Sequence, residues 1–233
     1  MKAHRLAAAA VLGMASIGAS AAVFDFANLK YSGGVASGFL PTDGVYCTGG
    51  DLCSSNVDGN VLGGDLTFVS GGITVHATGF YNGSQVAVVQ DHDNAYNAAA
   101  KKGAGLGVYH HKGDTSDDNV TSFESLVLSF DQNVTIDLLG LASEFHDVNG
   151  WLTGATFLVN GVQTLLPKGT GTISPLFLSA GDTFTFAYGG SNPDQFYLNA
   201  LTVTAAVPEP ETYALLLAGL GIVAFVARRR RQA

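Results

Sequence analysis

The chain has 233 residues, of which 47% are hydrophobic and 13% are charged, and its net charge at pH 7 is −8. Six of its eleven basic residues lie near the two ends, so residues 23–206 carry five lysines against seventeen carboxylates, a net charge of −12. An acidic surface of this kind repels nucleic acid and anionic lipid headgroups, which argues against both as ligands. The length of this central segment suits a single domain.

The first 22 residues have the three parts of a secretory signal peptide. Lys2 and Arg5 make the start basic, residues 6–17 are apolar, and residues 18–22 are all small. The apolar part is too short for a permanent membrane anchor. The sequence therefore predicts a signal peptide over 1–22 that enters the Sec machinery, with cleavage after Ala21 or Ala22.

Two cysteines, Cys47 and Cys53, are the only ones in the chain. They enclose a short loop in a segment predicted to be exported, where cysteine pairs are usually oxidised. A zinc site would need two further ligands at matching spacing, and no such partners follow. The pair therefore predicts a disulfide that stabilises the fold by about 2–3 kcal/mol.

The central segment predicts β-structure throughout. Short runs rich in Val, Ile, Thr, Phe and Tyr alternate with Gly, Asn and Asp turns, and none has a helical period. The expected strands are 24–29, 62–69, 73–80, 86–90, 106–109, 126–130, 134–141, 155–159, 162–166, 173–178, 183–188 and 197–204. Asn160-Gly161 predicts a two-residue type I′ hairpin, and Phe184 and Phe186 alternate with threonines as core-facing residues do. This spacing indicates an antiparallel β-sandwich or a jelly-roll-like domain.

Acidic and amide side chains gather in the predicted loops between residues 91 and 124. Calcium takes six to eight oxygen ligands, and the residues that would supply them are Asp91, Asp93, Asp117, Asp118, Asn119 and Glu124. The spacing is not that of an EF-hand. The alternative is that these residues form turns and solvate the surface, without binding a metal.

Two other kinds of site, a transition-metal site and a hydrolytic site, have weaker support in the sequence. His110, His111 and His146 are candidate ligands for a transition metal, but adjacent histidines on a strand point to opposite faces. Glu144, His146 and Asp147 are candidate acids and bases for hydrolysis, yet the sequence contains no G-x-S-x-G, H-E-x-x-H or S-x-x-K motif. We therefore expect no enzyme. Trp151 is expected in the core, with a sugar-stacking role as the alternative.

The last 27 residues have a distinct order. Pro208 and Pro210 hold Val207-Pro208-Glu209-Pro210 extended, as a protease cleft requires. An uncharged run follows over 213–227, and as a helix it rises about 22 Å against a hydrocarbon core of about 30 Å. The run predicts a marginal transmembrane helix, with four arginines on the cytoplasmic side: Arg228, Arg229, Arg230 and Arg231.

This order of an acidic Pro-Glu-Pro, a short apolar helix and a terminal arginine cluster resembles the PEP-CTERM sorting signal of Gram-negative bacteria. The resemblance implies recognition by exosortase, a membrane protease-transpeptidase, and removal of the helix and the arginines. It also implies that the C-terminal helix holds the chain transiently in the inner membrane before delivery to the cell surface or the extracellular space. An ordinary tail anchor is the alternative.

These features predict three regions: a signal peptide (1–22), an exported all-β sandwich domain (23–206) and a sorting signal (207–233). For the domain we expect a non-catalytic structural or adhesive role at the cell surface or in an exopolysaccharide-associated matrix. A calcium-dependent carbohydrate-binding module is the alternative, in which calcium would be the cofactor and polysaccharide the partner. A secreted hydrolase and an ice-binding protein are further alternatives.

Overall fold

The computed structural model describes residues 21–32, 35–47, 60–92, 103–110, 118–167, 170–171, 176–206 and 210–230, with the side chains of 170–171 and 210–215 excepted. The segment Ser20–Ala206 is one compact unit, and the C-terminal helix belongs to another. All but Ala21 and Ala22 of the predicted signal peptide lies outside the described residues.

Within its described part the first unit is built from short strands. In chain order they are β1 (Ala21–Asp25), β2 (Leu29–Ser32), β3 (Val35–Gly38), β4 (Val45–Tyr46), β5 (Val61–Gly63), β6 (Asp65–Ser70), β7 (Ile73–Tyr81), β8 (Ser84–Asp91), β9 (Gly105–Tyr109), β10 (Glu124–Phe130), β11 (Val134–Ala142), β12 (Thr156–Val159), β13 (Val162–Leu165), β14 (Thr170–Gly171), β15 (Leu176–Leu178), β16 (Thr183–Ala187) and β17 (Tyr197–Ala205). The paired strands are antiparallel, which confirms the predicted all-β class. The finer prediction of a sandwich or jelly roll stays a prediction.

Fifteen of the described strands form one hydrogen-bonded sheet, whose main path runs β13-β12-β16-β10-β7-β8-β9-β17-β11-β14. Strand β8 is the junction of its two halves, because residues 84–86 pair with β7 and residues 87–91 pair with β9. Strands β2 and β3 make a separate small sheet. Asp91 therefore lies at the end of the strand that joins the halves.

Turn chemistry sets the hairpins as expected. Asn160 and Gly161 have φ of 48° and 77°, and Asn82 and Gly83 have the same pair of values. Both central residues of a type I′ turn need positive φ, which Asn and Gly adopt at little cost. The predicted hairpin at Asn160-Gly161 is confirmed, and the second one connects β7 to β8.

One large hydrophobic core joins both halves of the sheet. Phe184 and Phe186 are 1% and 0% exposed while the threonines beside them face outward, as the alternation predicted. Leu126 and Leu128 from β10 and Leu201 from β17 belong to the same cluster. Each buried side chain of this size contributes about 1.5–3 kcal/mol of hydrophobic stabilisation. The described residues of this core belong to the first unit, and a unit with a core of its own is expected to fold by itself.

Two predicted strands are wrong in their extent. The predicted strand 62–69 is split at Gly64, because β5 pairs with β8 while β6 pairs with β7. The predicted strand 24–29 ends at Asp25, where Asn28 N donates to Asp25 O at 3.0 Å and turns the chain into β2. Phe26 lies in this turn and is fully buried. A buried turn residue is as apolar as a residue of a strand, and this is why the sequence predicted a longer strand here.

The C-terminal helix α1 spans Pro210–Arg230. Pro210 occupies the first helical position, where its missing N–H costs no hydrogen bond, and arginines in the last turn complement the helix dipole. Within the described residues no helix is long and apolar enough to cross a membrane. The predicted transmembrane helix is therefore not confirmed, in keeping with an uncharged run that is shorter than a hydrocarbon core.

Candidate functional site

Four buried side chains from separate parts of the chain meet at one place, called here the buried cluster: Asp91, Asp118, His146 and Tyr197. His146 Nε2 lies 3.1 Å from Asp91 Oδ2, and both side chains are more than nine-tenths buried. The Tyr197 hydroxyl donates to Asp118 Oδ1 at 2.5 Å. The His146 and Tyr197 rings make an edge contact with centroids 5.7 Å apart. The cluster thus ties the end of β8 to β17 and to the loops before β10 and after β11.

Burial changes the acid–base chemistry of this cluster. Loss of solvent, and then the charge of Asp118, raise the pKa of Asp91 well above its usual value, while hydrogen bonds from the Ala104 and His92 N–H groups oppose the shift. The pKa of the Tyr197 hydroxyl is also raised well above its usual value, first by burial and then by Asp118 and Asp91. Two buried carboxyl groups that repel each other when charged favour neutralisation of one of them, by a proton or by a nearby cation.

Glycines at the start of β9 allow the two carboxylates to approach. A side chain on Gly103 would collide with the backbone of Asp91, and one on Gly107 would collide with the backbone of Asp118. Gly105, with a φ of 123°, lies against the backbone of Leu198. The Gly-x-Gly-x-Gly row is therefore a close-packing device, and it is the sequence signal that could have indicated this convergence.

A second group of side chains, called here the aromatic corner, consists of Tyr81, His110, Phe123 and Glu124. His110 Nδ1 lies 2.6 Å from Glu124 Oε1, and the Glu124 side chain is fully buried. Glu124 Oε2 accepts from the Thr121 N–H at 2.8 Å. The Tyr81 ring stacks on His110 with centroids 3.7 Å apart and planes 10° from parallel. Glu124 therefore holds the imidazole, and the imidazole supports the flat face of a tyrosine.

Phe123 is the exposed member of the aromatic corner. Its side chain is 72% exposed, and its φ of 68° is left-handed, which is rare for a bulky residue. Its carbonyl accepts from the Asn82 N–H at 3.0 Å, and its ring meets Tyr81 edge-on at 6.4 Å. A strained backbone that displays a large apolar ring to solvent is a feature of binding sites. Sequence reasoning missed Phe123, because its left-handed backbone has no local sequence signal.

The predicted calcium ligands do not all come together. Asp91 and Asp118 meet in the buried cluster, whereas Glu124 is engaged with His110 in the aromatic corner. Asn119 donates from Nδ2 to Gln195 Oε1 at 2.8 Å. No three His, Cys, Asp or Glu side chains among the described residues are placed to hold a metal. Asp93 and Asp117, the other two candidate ligands, lie outside the described residues, so calcium binding stays a prediction.

The other predicted site residues lie at separate places in the β-unit where they are described. Trp151 is 4% exposed and donates from Nε1 to Gln195 O at 2.9 Å, which confirms its expected place in the core. His146 pairs with Asp91, while Glu144 and Asp147 are exposed. His111 lies outside the described residues, so the prediction of a transition-metal site that includes His111 stays a prediction.

Cys47 is 1% exposed and packs with Leu62, Val89 and Tyr109 in a small separate core. It is not a free thiol. Its predicted partner, Cys53, lies outside the described residues, and the pairing therefore stays a prediction.

Of the sorting segment the structure describes only α1. Val207, Pro208 and Glu209 lie outside the described residues, as does Arg231. Pro210 starts the helix, and Arg228, Arg229 and Arg230 are exposed in its last turn. The positive charge predicted for the end of the tail is thus carried at the end of a helix.

Comparison with known proteins gives one positive result. A protein-family model described as the PEP-CTERM protein-sorting motif matches residues 206–231, which confirms the resemblance drawn from the sequence. No curated protein matches the chain, and no solved structure matches it. The motif is of a kind that exosortase, a membrane protein, recognises, and it implies that the chain is secreted or displayed at the surface.

Proposed function

We propose that this protein is delivered to the cell surface or the extracellular matrix of a Gram-negative bacterium, where its β-unit has a structural or adhesive role without catalysis. The single observation that carries this proposal is the PEP-CTERM motif over residues 206–231, which follows a compact unit ending at Ala206. Entry through the Sec machinery and association with exopolysaccharide are part of the same proposal.

Processing of the tail tests the first half of the proposal. In a host with exosortase, mass spectrometry of the exported protein should find residues 215–231 absent, and in the same host without exosortase it should find them present. Glu209→Ala, within the Pro-Glu-Pro, should block removal, while Glu211→Ala, two residues further on, is the matched control. An intact tail on the wild-type protein in the exosortase-bearing host would contradict the proposal, and a hydrolase screen showing turnover would contradict the absence of catalysis.

Carbohydrate binding dependent on calcium is the second candidate function, because two observations favour it. Asp91 and Asp118 are buried close together, which favours a cation that neutralises them. Phe123 displays an aromatic ring beside the Tyr81 and His110 stack, an arrangement suited to packing on the apolar face of a sugar. Because the surrounding unit is acidic, a neutral glycan suits this corner better than an anionic one.

Calcium and sugar are tested separately. Calcium at 100 times its Kd adds about 2.7 kcal/mol to the free energy of unfolding, so a raised melting temperature relative to chelator is expected, and no shift at millimolar calcium would remove this candidate. On a glycan array, Phe123→Gly should lose binding that the wild type shows. Phe177→Gly is the matched control, because Phe177 is 57% exposed on a strand elsewhere in the unit. Equal binding by both variants would exclude the aromatic corner as the sugar site.

A further inference from the structure

Among the described strands, β13 forms one end of the main sheet and pairs with β12 alone. Val162 and Leu165 are 67% and 64% exposed, and alternation places them on opposite faces of the strand. Apolar side chains thus lie on both faces of an edge strand, where natural sheets usually carry charges or proline.

The backbone of β13 has hydrogen-bonding capacity directed away from the protein. The two-residue turn at Asn160-Gly161 makes Val159 and Val162 a hydrogen-bonded pair, so Val162 and Thr164 bond toward β12. The N–H and C=O groups of Gln163 and Leu165 then point outward. No described residue bonds to these outward groups.

Two other edge strands, β6 and β1, are partly covered by neighbouring segments of the chain. On β6, the Thr42 N–H donates to Thr67 O at 2.8 Å, and Thr67 N–H donates to Asp43 Oδ1 at 2.7 Å. On β1, the Ser70 hydroxyl donates to Val23 O at 2.7 Å. The backbone groups of β6 and β1 thus have bonding partners outside their strand pairs, while β13 has no such cover within the described residues.

Charge indicates what pairs with this edge. No charged residue occurs from Val148 to Pro167, although residues 23–206 as a whole have a net charge of −12. Two copies of so acidic a unit repel each other over most of their surface, and the neutral edge is where close approach costs least. A short run of β-favouring residues without charge or proline is also the composition of strands that pair between chains.

We propose that β13 is a self-association edge, at which β13 of one molecule pairs antiparallel with β13 of a second copy of this chain. A two-fold axis across the strand makes the contact self-complementary, since the outward groups of Gln163 and Leu165 meet the same groups of the partner. The association is weak in solution, because four residues bury far less than the roughly 1,600 Å² of a standard interface. Crowded copies at one surface would gain from it by multivalency. The inference does not depend on the proposed function.

Analytical ultracentrifugation of the purified Ser20–Ala206 unit tests the proposal, over a concentration series from about 1 µM to about 1 mM. The wild type should shift from monomer to dimer within this range. Leu165→Lys places like charges at the two-fold contact, and Leu165→Pro removes one outward N–H without touching a bond to β12. Each should weaken dimerisation at least tenfold. Leu152→Lys is the matched control, because Leu152 is 77% exposed in a loop.

Hydrogen exchange provides the specific readout. On association the amides of Gln163 and Leu165 should exchange more slowly, while those of Val162 and Thr164, already bonded to β12, should not change. A wild type that stays monomeric throughout would overturn the proposal, as would a dimer that survives both Leu165 variants or one that is lost equally in Leu152→Lys. Far-UV circular dichroism and cooperative unfolding of each variant show that it is folded. Where dimerisation is lost, unchanged exchange rates of the β12 amides give the same check.

Discussion

The stabilities of Phe123→Gly and Phe123→Ala show whether the Phe123 side chain stabilises the fold by packing or is displayed at the surface for contact with a ligand. The side chain is 72% exposed, and the backbone φ is 68°. A left-handed conformation costs an L-residue about 1–2 kcal/mol, and glycine escapes this cost. Glycine in turn loses about 0.5–1 kcal/mol more chain entropy on folding than alanine does. At this position we therefore expect glycine to be the more stable replacement, by about 0.5–1 kcal/mol.

The free energy of unfolding of the wild type is expected to lie between those of these two variants or close to them. Full burial of a phenylalanine contributes about 1.5–3 kcal/mol, and a side chain with about a quarter of its surface buried contributes roughly 0.5 kcal/mol. Phe123→Ala loses this contact and keeps the strained backbone, so it should be less stable than the wild type by about 0.5 kcal/mol. Phe123→Gly should equal the wild type within about 0.5 kcal/mol.

Urea unfolding of both variants measures the difference, with the midpoint and the slope determined together. The control is the same pair of substitutions at Phe177 in β15, where the backbone is extended and alanine should be the more stable by about 0.5–1 kcal/mol. The order of the two variants should therefore reverse between the two positions. Alanine more stable than glycine at Phe123 would refute the argument from backbone strain, and a loss of several kcal/mol in both variants would show that Phe123 is a packing residue.

Three further outcomes are expected. Burial beside a second carboxyl group raises the pKa of Asp91, so above about pH 4 the native state binds more protons than the unfolded state. The free energy of unfolding should therefore fall as pH rises, by at most about 1.4 kcal/mol per pH unit, until the raised pKa is passed. In melts across pH, Asp91→Asn should remove the contribution of Asp91 to this pH dependence. The intact mass of the exported protein should be about 2 Da below that of the reduced protein, because the predicted Cys47–Cys53 disulfide forms with loss of two hydrogens. A mass equal to that of the reduced protein would contradict the disulfide. N-terminal sequencing should begin at Ala22 rather than Val23, because Ala22 is 2% exposed in the core and pairs with β17, and a Val23 start would show that this packing does not matter.

Local features of the fold were readable from the sequence because short-range chemistry decides them. The Asn160-Gly161 hairpin follows from the two positive φ values that its turn requires, and the Phe184 and Phe186 alternation follows from the pleat of a strand. Strand ends were less predictable where tertiary packing overrides pattern. Phe26 is as apolar as any strand residue, yet it is buried within a turn.

Pairings between distant positions could not be derived. Asp91 and Asp118 were candidate ligands of one calcium site with Glu124, but Glu124 is buried against His110 in the aromatic corner, while Asp91 and Asp118 meet in the buried cluster. Nothing in the local sequence distinguishes these carboxylates, because the distinction depends on which strand each one follows and on what packs above it. The glycine row before and within β9 was the available signal, since closely packed backbones require it.

The same reasoning explains why the sorting tail was easier to interpret than the β-unit. An exosortase substrate is recognised through a linear segment, so the order of a Pro-Glu-Pro, an apolar run and arginines contains the whole recognition element, and the match over residues 206–231 needs no tertiary contact. The buried cluster, the aromatic corner and the β13 edge exist only after the chain has folded. Two of them gather residues from separate elements, and the third is a strand edge with no neighbouring strand in the part of the chain that the structure describes. The motif implies export, so under the two proposals above the β13 edge and Phe123 would meet their partners outside the cell.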